Sequence, residues 1–222
     1  MGFSPNKLLK IILLGDGGVG KSSLIQQFVN NTFDPNCSHT IGVEFLVKEM
    51  QVNNTKLTVQ IWDTAGQERY RSLRTPFYRG CDICILTFSL DNEESFKNVD
   101  MWFSEFYNYA NLDPNQPFPF IVVGNKCDLP EEKVVVSKEQ IQNWCINNAA
   151  KMIDKLPQES ESYKKLKETG IPFVTTSAQS AENVASSFET ALSLWSLLEL
   201  KSKENLGNIN DFGEYTPLYQ HF

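Results

Sequence analysis

Eight consecutive residues, Gly15-Asp16-Gly17-Gly18-Val19-Gly20-Lys21-Ser22, hold the most legible chemistry of this 222-residue chain. Glycines at this spacing leave backbone N–H groups free to close around a polyphosphate, Lys21 can reach the terminal phosphates, and the Ser22 hydroxyl can ligate Mg²⁺. Gly17, Gly18, Val19, Gly20, Lys21, Ser22 and Ser23 are therefore the expected phosphate contacts, and a nucleoside triphosphate is the expected ligand. The G-x-x-x-x-G-K-S pattern is short, so its meaning depends on a buried strand before it and a helix after it. The apolar run Leu8 to Leu14 supplies the strand. Ser22 to Val29 supplies the helix, with Leu24 and Phe28 one turn apart and an N-terminus that favours anions. The competing reading is a glycine-rich turn without a ligand, but nothing structural requires Lys and Ser to follow such a turn.

This loop alone does not distinguish ATP from GTP. The base is decided at Asn125-Lys126-Cys127-Asp128, which closes the apolar segment Phe118 to Gly124. A carboxylate can accept both N1–H and the exocyclic amine of guanine, whereas adenine would leave that carboxylate desolvated and unpaired. Asp128 is the expected guanine reader. The stem of Lys126 can cover the base, and Asn125 can tie its loop to the phosphate loop. A second recognition loop, Thr176-Ser177-Ala178-Gln179, follows the strand-like Pro172 to Thr175 and can offer backbone N–H to guanine O6 through Ser177, Ala178 and Gln179. On its own that loop carries no weight, because Ser- and Ala-rich strand-to-helix loops are common.

Asp63-Thr64-Ala65-Gly66-Gln67-Glu68 lies after the alternating segment Leu57 to Trp62. An acidic residue at such a strand end suits Mg²⁺, acting through a water, and is assigned to Asp63. Gly66 can donate its N–H to the γ-phosphate, and Gln67 can orient the attacking water as the catalytic residue. Upstream, in the polar stretch Asn30 to Gly42, Thr40 can complete the metal set with Ser22 and Asp63, and Phe33 can stack on the base. An exposed turn with a chance glycine is the alternative for the first segment.

With these residues in place the chain resembles the Ras-like small GTPases, and within them the Rab branch of membrane-traffic regulators. The resemblance covers about residues 7 to 200. It runs over the phosphate loop, Ile41-Gly42-Val43-Glu44-Phe45, Gln60 to Tyr70, Phe77-Tyr78-Arg79-Gly80, Asn125-Lys126-Cys127-Asp128 and Thr176-Ser177-Ala178. His39 to Phe45 and Arg74 to Gly80 are worded most like Rabs acting between late endosome and trans-Golgi. The resemblance implies GTP and GDP with Mg²⁺, slow hydrolysis, and a monomeric switch served by effectors, a GTPase-activating protein and an exchange factor. It also implies an aromatic triad, Phe45, Trp62 and Phe77, read by effectors, although aromatics at strand ends are as often plain core. Among Arg69, Arg71 and Arg74, Arg69 as an internal transition-state finger is the competing idea. It loses, because in Rabs this Arg belongs to a mobile surface segment, so the missing charge is expected from an activating protein.

The expected fold is α/β: a doubly wound, mostly parallel six-stranded sheet with one antiparallel edge hairpin, the G domain of P-loop GTPases. Unalternating runs at Leu8 to Leu14, Ile83 to Phe88, Phe118 to Val123 and Pro172 to Val174 read as strands buried on both faces. Val43 to Val52 and Leu57 to Trp62 alternate around Asn53-Asn54 like a hairpin. Helical stripes recur through Phe96, Val99, Phe103, Phe106 and Ala110, through Ile141, Trp144, Cys145, Ala149 and Met152, and through Val184, Phe188, Ala191, Leu192 and Trp195. Ser137 to Gln140 reads as a capping box. The domain reading is an N-terminal extension 1–6, a domain 7–200 with an insertion at about 149–170, and a tail 201–222.

A net charge of −7 argues against nucleic acid and against an electrostatic membrane patch. With no run of 18 apolar residues and no signal-peptide core, a cytoplasmic protein is expected. The five cysteines fit free thiols, Cys81-Asp82-Ile83-Cys84 included. Two features depart from the Rab pattern. The final residues Asp211 to Phe222 carry no prenylation box, and the last cysteine is Cys145, so no prenyl anchor is expected. Peripheral association with endosomal or Golgi membranes would then run through partners. The lengthened segment Ala149 to Gly170 reads as a solvated surface excursion, with a partner site as the sharper alternative. Gln179 stands where Rabs usually carry Lys. A second class of function, a soluble nucleotide-binding scaffold or decoy for Rab effectors with little hydrolysis, stays open at this point.

Overall fold

The computed structural model describes residues 7–37, 40–52, 55–67 and 71–204. The 1–6 extension, His39, the expected Asn53-Asn54 turn, Glu68-Arg69-Tyr70 and the tail residues 205–222 lie outside the described residues. The first apolar run forms β1 (Lys7–Leu14), which pairs in parallel with β3 (Thr55–Thr64) and β4 (Ile83–Ser89). Parallel strands β5 (Phe120–Asn125) and β6 (Phe173–Thr176) extend the sheet beyond β4, while β2 (Val43–Val52) runs antiparallel to β3 at the other edge. The order is β2-β3-β1-β4-β5-β6, the doubly wound six-stranded sheet that the run pattern predicts. Every residue of β4 and β5 is buried, because helices cover both faces; unalternating apolar sequence is the consequence.

On one face α1 (Lys21–Asn30) meets α7 (Val184–Glu204), and the rings of Phe28 and Phe188 stack with centroids 3.9 Å apart. On the other, α4 (Val99–Tyr109) sets Phe103 edge-on to Phe120 of β5 and to Trp144 of α5 (Lys138–Ile153). Each fully buried Phe in such a layer contributes about 1.5–3 kcal/mol from apolar burial. The capping box at Ser137 is present: its hydroxyl accepts from Gln140 N–H, and the Gln140 side chain accepts from Ser137 N–H.

Strand register places the functional loops. Leu13 pairs with Asp63, Leu14 with Leu86, Ser89 with Asn125, and Asn125 with Thr176, so the segments that follow these strands leave the same edge of the sheet. That carboxyl edge is where open α/β sheets bind ligands.

Three expectations need correction. Strands β5 and β6 begin at Phe120 and Phe173 rather than at Phe118 and Pro172, and both run further, to Asn125 and Thr176. The stripe from Phe96 to Ala110 is buried as expected, but α3 (Glu93–Lys97) and α4 divide it at Asn98, whose side chain donates to Asp16. The solvated excursion is instead docked. Residues 149–153 complete α5, and α6 (Glu161–Thr169), capped by Ser160, returns along it with Leu156 and Leu166 buried. Gln142 donates to the Thr169 carbonyl at 2.6 Å and Ile171 N–H to the Cys145 carbonyl at 3.1 Å, so an amphipathic helix holds the longer connection to the core. Its lysines point outward because Ser162, Tyr163 and Leu166 share the inner face. All five cysteines are free thiols.

Candidate functional site

A cleft of about 420 Å³ opens at the carboxyl edge. Gly17, Gly18, Gly20, Lys21, Ser22 and Ser23 form one wall, Phe33, Thr40, Gly66 and Gln67 a second, and Asn125, Lys126, Asp128, Ala178 and Gln179 a third. Its volume suits a nucleotide-sized ligand. Of the residues expected there, Val19 and Ser177 are buried behind the wall, and Asp63 stands behind Ser22 and Thr40.

At the phosphate end, Gly20 takes a φ of 97°, and a Cβ there would lie 2.3 Å from Asn125 Nδ2; only glycine lets α1 start this close to the β5 loop. Lys21 is 5% exposed and its Nζ donates to the carbonyls of Gly15 and Asp16 at 2.7 and 2.9 Å. Burial lowers its pKa to about 8, against the pull of Asp63 and Asp16, so the side chain remains a cation at neutral pH.

Asp63 follows from β1–β3 pairing, which sets it beside Leu13, and Thr64 anchors the same strand end by donating to the Leu13 carbonyl at 2.7 Å. Ser22 Oγ donates to Asp63 Oδ2 at 2.6 Å, Thr40 Oγ1 donates to the same oxygen at 3.0 Å, and the two hydroxyls are 2.8 Å apart. Burial raises the Asp63 pKa, with the Ser22 hydrogen bond the largest opposing influence. Asp63 Oδ1 is buried without a hydrogen-bond partner among the described residues. Two hydroxyls and a carboxylate, all hard oxygens drawn from three separate segments, are a donor set that fits Mg²⁺. Gly66 sits against the phosphate loop, where a Cβ would come within 2.4 Å of the Asp16 carbon and Gly17 nitrogen.

At the base end, Asn125 is 2% exposed. It donates to the Val19 carbonyl at 2.9 Å and accepts from Ala178 N–H at 3.2 Å and the Thr176 hydroxyl at 3.3 Å, tying three loops together. Ser177 turns inward, its N–H on the Glu182 carbonyl and its hydroxyl accepting from Ser180 N–H. Lys126 occupies a left-handed conformation with φ 71° and pairs with Asp91 at 3.3 Å.

Outside the cleft, Phe45 and Trp62 stack with centroids 5.0 Å apart, and Trp62 meets Phe77 at 5.3 Å. Phe45 is 51% exposed and Phe77 37%, so these rings form an accessible surface rather than core. Lys10 Nζ lies 4.4 Å from the Trp62 centroid and donates to the Phe77 and Arg79 carbonyls, which holds the triad in place.

Sequence reading missed Asp34, Pro35, Cys37, Thr64 and Leu129 on the cleft wall. Leu129 had a signal, directly after Asp128. It also missed that Arg74 is buried against Glu105. Glu105 stands between Trp102 and Phe106 on a buried helix stripe, and a carboxylate in that place needs a partner.

Comparison with known proteins identifies the family. The family model described as the Ras family matches residues 10–196. Human Ras-related protein Rab-9A is 49% identical over 187 residues, covering 84% of this chain and 82% of its own, and human Rab-9B is 47% identical, with 83% and 81% covered. The Ypt/Rab-type GTPase ypt7 of Pyricularia oryzae is 40% identical over 204 residues, covering 92% and 89%. This chain therefore belongs to the Rab branch of the Ras family, guanine-nucleotide-binding small GTPases that hydrolyse GTP and act in vesicle transport.

Proposed function

We propose that the cleft binds GTP and GDP with Mg²⁺, and that hydrolysis is directed by Gln67 while the loops bearing Thr40 and Gly66 report the γ-phosphate. The observation that carries this is the convergence of Ser22, Thr40 and Asp63, which joins a loop between α1 and β2 to the phosphate-loop helix through one carboxylate oxygen. Ser22 and Thr40, with Asp63 behind them, would hold Mg²⁺, whose charge offsets that developing on the phosphate oxygens. Lys21 brings a buried cation to the same end. Asp128 reads guanine, Lys126 and Phe33 flank the base, and Ala178 and Gln179 close the loop over it. When the γ-phosphate leaves, Thr40 and Gly66 lose their reason to face the cleft, and both loops relax.

Effectors, activating proteins and exchange factors are the kinds of partner a Rab has. Phe45, Trp62 and Phe77, stacked and accessible, are the surface proposed for effectors. Peripheral association with endosomal or Golgi membranes through partners is part of the same proposal, supported by the wording of His39 to Phe45 and Arg74 to Gly80. Among the described residues no helix is long and apolar enough to cross a membrane.

A single-turnover hydrolysis assay tests the reading. Slow Mg²⁺-dependent hydrolysis is expected, accelerated by roughly 10³–10⁵ with a matching activating protein, and Gln67→Leu should lose rate while keeping its affinity for GDP. Absence of hydrolysis in the parent, even with an activating protein, would overturn the switch in favour of a nucleotide-bound scaffold.

A further inference from the structure

Arg74 is 1% exposed, although it lies only seven residues after Gln67. Its Nε donates to Glu105 Oε1 at 3.1 Å and its Nη2 to Glu105 Oε2 at 3.2 Å, the forked geometry that fixes a guanidinium in both distance and plane. Tyr78 donates its hydroxyl to Glu105 Oε1 at 2.6 Å, and the guanidinium carbon lies 4.3 Å from the Trp102 ring centroid. The remaining direction of the fork is aimed at the hydrolytic loop: Nη1 donates to the backbone carbonyl of Gln67 at 2.8 Å.

The same ring ties this cluster to the phosphate loop. Trp102 Nε1 donates to Asp16 Oδ1 at 2.7 Å, and Asn98 donates to Asp16 Oδ2 at 2.8 Å. A continuous set of polar contacts therefore leads from Asp16, along one face of α4, to the Gln67 carbonyl. Burying an ion pair is not a cheap way to gain stability, since desolvation offsets much of the attraction. A rigid fork does, however, fix the groups it bonds. Among the described residues α2 (Arg71–Arg74) is a single turn, too short to be a rigid element by itself.

We propose that Arg74, braced by Glu105, is a positioning residue for GTP hydrolysis: it holds the Gln67 backbone against the α4 scaffold and so sets where the Gln67 side chain meets the attacking water. This rests on the reading of Gln67 given above. The fork that grips Glu105 and Gln67 also keeps Arg74 from serving as the transition-state cation, which leaves that role to a partner.

Single-turnover GTP hydrolysis, GDP dissociation and thermal unfolding of the full chain test it, comparing the parent with Gln67→Leu, Arg74→Met/Glu105→Gln, and all three substitutions together. The paired change removes the guanidinium without stranding a carboxylate, and the new amide can still accept from Tyr78. Hydrolysis by the pair should fall about ten- to a hundredfold, as expected for a misplaced catalytic group. GDP dissociation should stay within about threefold, and in the Gln67→Leu background the paired change should bring no further loss, because it acts only through Gln67. A parental rate in the folded pair, or losses that multiply in the triple variant, would overturn the proposal. Should the pair fail to fold, Arg74→Lys decides: slowing by about threefold or more supports the fork, since one ammonium is a point charge without its geometry, and a parental rate overturns it. A parental rate in Gln67→Leu would instead remove the catalytic reading of Gln67 itself, so the two failures are distinguishable.

Discussion

The base end of the cleft is organised by Asn125, which sits at the carboxyl end of a buried strand and draws three loops together through its own amide. The hydrolytic end is organised at one remove: Thr40 is held through Asp63, and the Gln67 backbone through Arg74. The first arrangement makes a socket whose shape is a property of the core. The second makes loops whose positions depend on a few polar contacts at their backs. With the roles proposed above, recognition of the base is separated from response to the γ-phosphate, and a substitution at one end should not imitate a substitution at the other.

The largest expected effect is at the socket. Asn125→Ala leaves the Val19 carbonyl, Ala178 N–H and Thr176 hydroxyl without that partner, each at a cost of about 1–3 kcal/mol. GDP affinity, read from dissociation of a fluorescent analogue, should fall by at least about a hundredfold, which is about 2.7 kcal/mol. An unchanged off-rate would break the claim that this side chain builds the site. Thr40→Ala sharpens the other half. It should lower the preference for a non-hydrolysable GTP analogue over GDP by roughly tenfold, about 1.4 kcal/mol, while leaving GDP affinity near parental; equal losses for both nucleotides would show that the two ends are not separable. Smallest is Ser137→Ala, outside both ends, which removes a helix cap and should cost about 1 kcal/mol in thermal or urea unfolding with no change in nucleotide affinity or hydrolysis.

Much of the fold was legible because local pattern and global position agree. Ile11 to Leu14 and Ile83 to Phe88 are unalternating, and both are buried on two faces at the centre of the sheet, whereas Leu8 at the start of β1 is exposed and Lys10 half-buried. The Ser137 box and the stripe through Ile141, Cys145 and Ala149 announced α5 with its inner face. Legibility failed at α6, where the charged residues Lys164, Lys165, Lys167 and Glu168 pointed to solvent, although Ser162, Tyr163 and Leu166 on one face dock the helix on α5. It failed again at Arg74, noted only as one of three arginines, with Arg69 and Arg71, that follow Gln67. Its partner Glu105 lies 31 residues away, and nothing in the local sequence of either residue specifies the other.

By itself the sequence determined the residue types and spacings on which the proposed chemistry rests: a glycine-rich loop suited to phosphates, a carboxylate able to accept from guanine, a glutamine four residues after an aspartate suited to Mg²⁺, and the alternation of strands and helices that carries them. Those follow from residue type and short spacing, because hydrogen-bonding capacity and backbone freedom are local properties. Only the tertiary structure decided which side chains are held and by what. Whether Asn125 braces three loops, whether Ser22 and Thr40 share one oxygen of Asp63, and whether Arg74 grips the Gln67 backbone depend on strand register and on α4 lying across the phosphate loop. These contacts join residues from 7 to 106 positions apart, and only packing of the whole core brings such groups within hydrogen-bonding distance.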